Sequence, residues 1–407
     1  MRKHIALFLC LCLLAAVLTG CGGNSRIEYY EDEPAQEAEA AAEADANPPV
    51  EAAADGAAGP GFNAYPADTV VATVNGEPVT WEEYCYWLTY YVDYVKYLAA
   101  MNGFALSGWD AHEVSSSNTN GEVVLLNAQY AVVQYHVMSS QADALGYGLD
   151  EADLATMQLV FDQTADSTVG DGDGVCSEEE AAAFNEYLAQ QNVSRELFDF
   201  MNEVSLLNEK TFIGMYGQSG ELLSDEEALA FADAENIRAA KHILLLTLDE
   251  QTGEPLSDEE LAQKRATIED LYAQLSAVAG DTEALNALFD QLMAEYTEDT
   301  GIVAFPTGYT YVPGVMVAEF EDAVNALEEY EMSDVVETSY GYHIIMRVPV
   351  GADDTVMDTS GQAVILRLGV ANQQFTEIMN SWMDEANVVW NDGFETLDIA
   401  AVFGGAG

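Results

Sequence analysis

Basic residues are scarce: 12 Lys and Arg stand against 71 Asp and Glu, a formal net charge of −59 over 407 residues. So acidic a chain repels nucleic-acid backbones and anionic lipid surfaces, which argues against both as principal partners. Cysteine is rare too, five in all. Cys10 and Cys12 fall in an N-terminal apolar run and Cys21 follows it, which leaves Cys85 and Cys176 in the body and no disulfide framework. Long apolar runs are missing after the first twenty residues; nothing later approaches the ~20 apolar residues needed to cross a bilayer. Zinc-ligand spacings, phosphate-binding glycine loops and Ser-His-Asp order are also lacking, so no metal or cofactor is expected.

What is present begins with "MRKHIALFLCLCLLAAVLTG", residues 1–20, in which Arg2 and Lys3 precede an apolar run ending in small residues. This is the pattern of a secretory signal peptide. The exit "LTGC", Leu18 to Cys21, resembles the bacterial lipobox, which implies a lipid on Cys21 and an extracytoplasmic protein anchored to the cell membrane. Residues 21–67 offer too few apolar side chains to offset the entropy of ordering, and read as an acidic, self-repelling linker.

Order begins with the strand Val70–Val74, an Asn75-Gly76 turn, a short second strand and Thr80-x-x-Glu83, a capping box that opens an aromatic helix. Helical periodicity continues at about 121–145, 150–163, 178–190, 194–216 and 225–235, with Ser177-x-x-Glu180 and Ser224-x-x-Glu227 as caps. After Asn236 the period changes. "AAKHILLLTL" is a strand, Ser257 and Glu260 cap a helix, a second helix covers 282–295, and "GYHIIMRV" is a late strand. The tail, 351–407, offers a helix around 370–386 and a strand-like "NVVWNDGFETLDI". It is too short to fold alone and is expected to pack back on the N-terminal helices. The fold class is therefore α+β: a mainly α-helical module over 68–236, completed by the tail, with an α/β domain inserted at 237–350.

Four segments in order, "AKHILL", "EYTED", "GVMVAEFEDAVNAL" and "VVETSYGYHIIMRV", resemble the parvulin family of peptidyl-prolyl isomerases. The hairpin and aromatic helix at 70–101 are similar to the N-terminal domain of SurA- and PrsA-type foldases. The resemblance implies an isomerase that assists folding of secreted proteins, with a parvulin-like domain in a chaperone frame. It places the family's two facing histidines on His242 and His343 and its Cys-or-Asp position on Asp299. The proline pocket would include Met316 and Phe320, with Thr338 and Tyr340 beside the second histidine. Where the family has a glycine-rich segment this chain has "TGIVAFPTGYTYV", so Tyr311 would supply the aromatic wall. The basic loop that gives some parvulins phosphate selectivity is replaced by "LDEQTGEPLSDEE", so a phosphorylated substrate is not expected. Implied partners are unfolded or partly folded secreted chains containing X-Pro bonds, and the membrane through Cys21; a homodimer is left open. The alternatives are an inactive holdase and, less readily, a solute-binding lipoprotein, which would need repeated βαβ units that the helical run 121–235 does not offer.

The residues suit this chemistry on their own terms. Rotation about an X-Pro bond meets a barrier of ~18–20 kcal/mol from amide resonance. Lowering it needs an apolar seat for the ring and a dry, polarised site that favours the twisted amide. Met316 and Phe320, four apart, are expected on one helix face. His242 and His343 are expected to hydrogen-bond to each other and fix their tautomers around Asp299, which would tune polarity rather than attack. Substitution of His242, Asp299 or Phe320 should slow exchange with little loss of fold. The plainer readings are core histidines, a turn residue in "EDTG" and core packing by Met316 and Phe320. No role is assigned to His112 or His136. In "DGDGVCSEEE", Asp171, Asp173, Gly174 and Glu180 match the third, fifth, sixth and twelfth places of a calcium loop. The first place is Val169, which cannot ligate, and the preferred reading is an acidic loop that caps the next helix.

Overall fold

The computed structural model describes residues 61–249 and 252–406. The stretches read as a signal peptide, as a lipobox with Cys21 and as most of the linker lie outside the described residues. The N-terminal half contains β1 (Val70–Val74), β2 (Glu77–Thr80), α1 (Trp81–Met101), α2 (Asn120–Leu145), α3 (Glu151–Val169), α4 (Glu178–Gln190) and α5 (Arg195–Tyr216). There follow α6 (Asp225–Ala234), β3 (Arg238–Leu246), α7 (Asp258–Ser276), α8 (Thr282–Tyr296), β4 (Tyr309–Tyr311) and α9 (Ala318–Asn325). Then come β5 (Val336–Glu337), β6 (Gly341–Val348), β7 (Thr355–Met357) and β8 (Ala363–Ile365). The chain closes with α10 (Leu366–Glu385), β9 (Val388–Trp390) and α11 (Ile399–Phe403). No helix among the described residues is long and apolar enough to cross a membrane.

The chain divides into two compact units, one of residues up to 215 together with 373–407, the other of 216–372. In the first, β9 from the tail adds to β1 and completes an antiparallel sheet in the order β2-β1-β9. The sheet is sealed by rings from both ends of the sequence: Tyr65, Trp81 and Phe394 meet within 6.0 Å, and Tyr84 lies 5.2 Å from Trp390. The Trp109 indole N–H donates to the Gly404 carbonyl at 2.8 Å, a second tie to the tail. Phe161, Phe184 and Phe198 pack edge to face and join α3, α4 and α5. The Ser177–Glu180 capping box forms on α4, and Ser224–Glu227 and Ser257–Glu260 do the same on α6 and α7. The box at Thr80 is only half made. Thr80 accepts from the Glu83 amide, but the Glu83 carboxylate turns to His136 Nε2 at 3.0 Å, since both side chains are nearly dry there and need each other.

In the second unit a six-stranded sheet runs β5-β6-β3-β4-β7-β8. Strand alternation gives it two faces. Ile243, Leu245, Ile344 and Met346 point to one side and form a core with Ile268, Leu271, Leu275 and Phe289 of α7 and α8. Lys241 shares that side, 3% exposed, with its ammonium held by Asn286 and Asp290. Ala240, Tyr311 and Ile345 face the opposite side, which α9 covers with Phe320 and Val324. The candidate site lies on this second face.

Candidate active site

β3 and β6 run antiparallel with His242 opposite Ile345 and Leu244 opposite His343. Residues two apart on a strand share a face, so the histidines are diagonal neighbours above the same sheet surface. Their ring centroids are 5.2 Å apart at an interplanar angle of 89°. The hydrogen bond expected between them is not made. Both nitrogens of His242 and Nδ1 of His343 have no hydrogen-bond partner. The rings meet edge to face rather than nitrogen to nitrogen. His343 Nε2 is instead paired with Thr338 Oγ1 at 2.8 Å, and the same oxygen accepts from the Tyr340 amide at 3.1 Å. Burial, then the adjacent His242, push the His343 pKa down to about 3 against a smaller opposing effect of Asp299, so this imidazole is neutral at physiological pH.

Asp299 follows α8 and caps a 3-10 turn over 300–303, with Oδ1 accepting from the Gly301 amide at 2.9 Å. The turn chemistry of "EDTG" is therefore real, and it delivers the carboxylate to the histidines. Oδ2 lies 3.2 Å from His242 Nε2 but oblique to the ring N–H direction, and accepts a proper hydrogen bond from the Tyr309 hydroxyl at 2.6 Å. Burial acts to raise the Asp299 pKa, but the contacts with His242, Tyr309 and the Gly301 amide together outweigh it and bring it down to about 2. Asp299 is thus an anion beside a neutral His343.

Phe320 forms the floor. Its ring centroid is 5.2 Å from His242, 5.8 Å from His343 and 6.3 Å from Tyr311, and the residue is 2% exposed. Met316 packs on the same cluster but does not share a helix face with Phe320, because α9 begins only at Ala318. Glu321 reaches back to accept the amides of Gly314 and Met316, which holds the turn ahead of the helix. Tyr311 is buried behind Phe320 with its hydroxyl unpartnered, whereas the Tyr340 ring is 55% exposed at the rim. A groove of about 540 Å³ is lined by Leu246, Leu248, Leu256, Lys264, Glu298 and Asp299.

The structure thus brings His242, His343, Asp299, Phe320, Tyr311, Met316 and Thr338 into one cluster, with Tyr340 joined through its amide. Tyr309 is the member that sequence reasoning missed. The "YTY" alternation, which puts residues 309 and 311 on one face, was the available signal. In the 169–180 loop the expected cap is present at Ser177 and Glu180. The carboxylates of Asp171 and Asp173 are joined within 4.8 Å by Asp166, which lies outside the twelve-residue pattern and accepts the amides of Gly172 and Gly174.

Residues 242–348 match the rotamase family, described as a PPIC-type PPIASE domain. The chain is 25% identical over 317 residues to the foldase protein PrsA of Halalkalibacterium halodurans, covering 74% of this chain and 80% of that protein. It is 30% identical over 146 residues to the chaperone SurA of Burkholderia thailandensis, covering 36% of this chain and only 28% of the length of that relative. Among solved structures, the peptidylprolyl isomerase PrsA from Bacillus cereus aligns over 68% of this chain and 90% of its own, with 18% identity and a TM-score of 0.26. Residues 242–348 are a parvulin-type peptidyl-prolyl isomerase domain, in a chain that is similar to PrsA and SurA.

Proposed function

We propose that the 242–348 domain turns over X-Pro bonds in unfolded or partly folded secreted chains, and that the helical unit with its returning tail holds those chains meanwhile. The observation that carries the catalytic reading is the two Nδ1 atoms without hydrogen-bond partners on perpendicular histidines above Phe320, with His242 Nε2 beside the Asp299 carboxylate. Buried polar atoms without partners are costly, about 1–3 kcal/mol each, and they are satisfied when a peptide carbonyl or amide arrives. The proline ring would rest against Phe320 and Met316, and the flanking residues would run into the groove beside Asp299. No bond is broken. A neutral His343 and an anionic Asp299 polarise a dry site, and there the twisted amide, with carbonyl and nitrogen decoupled, is favoured over either planar form.

Support for the holding role comes from aromatic surface on the helical unit. A pocket of about 660 Å³ there is lined by Phe62, Tyr65, Pro66, Trp81 and Val193. Tyr130 and Leu126 stand 46% and 49% exposed on α2. The signal pattern at 1–20 and the lipobox support an extracytoplasmic protein tethered through Cys21, with 21–67 as spacer.

The test is exchange of a proline-containing peptide, followed by NMR with the full chain and with His242→Ala. Exchange catalysed by the parent and lost in the variant supports the assignment. No catalysis by the parent, with aggregation of unfolded clients still suppressed, would make it a holdase.

A further inference from the structure

We infer that Tyr309 is a positioning residue of this site, locking the Asp299 carboxylate against His242 and bracing the His242 ring by a near-parallel stack. The inference rests on the isomerase reading above and assigns a task to a residue in the segment that departs from the family's glycine-rich pattern. The Tyr309 hydroxyl donates to Asp299 Oδ2 at 2.6 Å, and its ring lies nearly parallel to His242, centroids 5.8 Å apart at 27°. Phe305 supports the tyrosine from behind at 5.0 Å. Two glycines make this approach possible. A Cβ at Gly301 would sit 1.9 Å from the Tyr309 hydroxyl oxygen. Gly308 adopts φ +107°, and a Cβ there would lie 2.5 Å from the Ala240 carbonyl oxygen, so only glycine lets β4 close on β3 where Ala240 pairs with Tyr309.

Both carboxylate oxygens are thereby spoken for, Oδ1 by the Gly301 amide and Oδ2 by Tyr309, and the remaining approach to Oδ2 belongs to His242. The other charged or titratable groups nearby are His343 from β6 and the Lys264–Glu298 pair, Glu298 being the chain neighbour of Asp299. Neither is hydrogen-bonded to the carboxylate. Tyr309 therefore acts through Asp299 and His242, and no proton changes hands.

The experiment is a double-mutant cycle on the full chain with Tyr309→Phe, Asp299→Ala and the pair. Tyr309→Phe keeps the ring stack, so its melting temperature should fall by no more than about 3–6 °C, the share that a one-unit change at Asp299 carries. Loss of one charge-assisted hydrogen bond should lower kcat/KM by about tenfold, in kcat more than in KM. In the Asp299→Ala background the same change should alter the rate by less than about twofold, since the group it acts through is gone. Independently of activity, the Asp299 carboxyl carbon followed by NMR should titrate about one pH unit higher in Tyr309→Phe. An unshifted carboxyl titration, or a full tenfold loss persisting without Asp299, overturns the inference. A parent chain without catalysis would defeat the isomerase reading, and the titration would still decide the placement of Tyr309.

Discussion

Phe320 is both the seat for a proline ring and part of the core, which changes what its removal should do. The sequence led us to expect Phe320→Ala to be nearly silent in stability. The structure buries all but 2% of the residue, between two histidines, Tyr311 and Ile345. Truncating a buried phenylalanine costs about 3–5 kcal/mol, from lost transfer free energy and from the cavity left behind. For a unit of residues 216–372, each kcal/mol moves the midpoint by about 2–4 °C, so the transition of that unit should fall by roughly 6–20 °C. Phe320→Leu retains much of the volume and should cost only about 1–2 kcal/mol while still lowering exchange, because the flat face offered to proline is gone. His242→Ala removes a smaller side chain and the 3.2 Å contact with Asp299, so its stability loss should be smaller than that of Phe320→Ala while its loss of exchange is at least as large. Calorimetry and urea titration of the three variants, with peptide exchange on each, separate the two roles. A melting temperature for Phe320→Ala within about 2 °C of the parent would refute the packing on which this rests.

Further outcomes follow from neighbouring contacts. Asp290→Ala should destabilise more than Lys241→Met, because it strips the main anionic partner from an ammonium whose residue is 3% exposed; Asp290 itself is half solvated and tolerates loss of the lysine. Urea midpoints would show the order, and the reverse order would mean the lysine is not held as described. For His343 the folded pKa is depressed from 6.5 to about 3, so the unfolded chain binds the extra proton first. Its contribution to stability is complete above about pH 6.5 and falls by up to ~1.4 kcal/mol per pH unit on acidification toward pH 3. Stability against pH should be flatter in His343→Asn over that window. Thr338→Val removes the partner of His343 Nε2 and the acceptor of the Tyr340 amide; a loss of about 1–3 kcal/mol is expected by urea titration, with slower peptide exchange.

Local signals were legible in the sequence. Three of the four capping boxes formed as written, because each needs only a Ser and a Glu three apart. The fourth gave way to a partner 53 residues distant, His136, which no local pattern announces. Strands β4, β5, β7 and β8 are two or three residues long, below the length at which a two-residue period can be recognised. The compact unit extends over 216–372, beyond the 237–350 span expected from periodicity. Its outer limits are set by long-range contacts such as Arg367 bonding to Leu223 and Asp225. Of the site, the histidines and Phe320 could be placed from motif order. For Tyr309 the "YTY" alternation could give only the face it shares with Tyr311; its reach to Asp299 depends on the fold of the 300–308 loop and has no local signal.

The altered loop and the histidine pair differ in what holds them, and that bears on whether loss of the glycine-rich wall disables the site. His242 and His343 are fixed by the β3–β6 ladder, paired from Ala239 with Val348 through Leu246 with Gly341. A slip of one residue along that ladder would turn Ile243, Leu245, Ile344 or Met346, all at most 3% exposed, out of the core and carry polar side chains into it. At about 1.5–3 kcal/mol for each large side chain, such a slip is prohibitive. The face-sharing of the two imidazoles is therefore insulated from changes in the exposed part of 300–308, whose neighbours Tyr309 and Asp299 are what reach His242. Replacing Ala304 to Thr307, all exposed except the half-buried Phe305, should leave the His242–His343 geometry intact and act on rate only by loosening the support behind Tyr309. Chemical shifts of the two imidazoles that moved as far as those of Tyr309 in such a variant would show that the ladder does not isolate them.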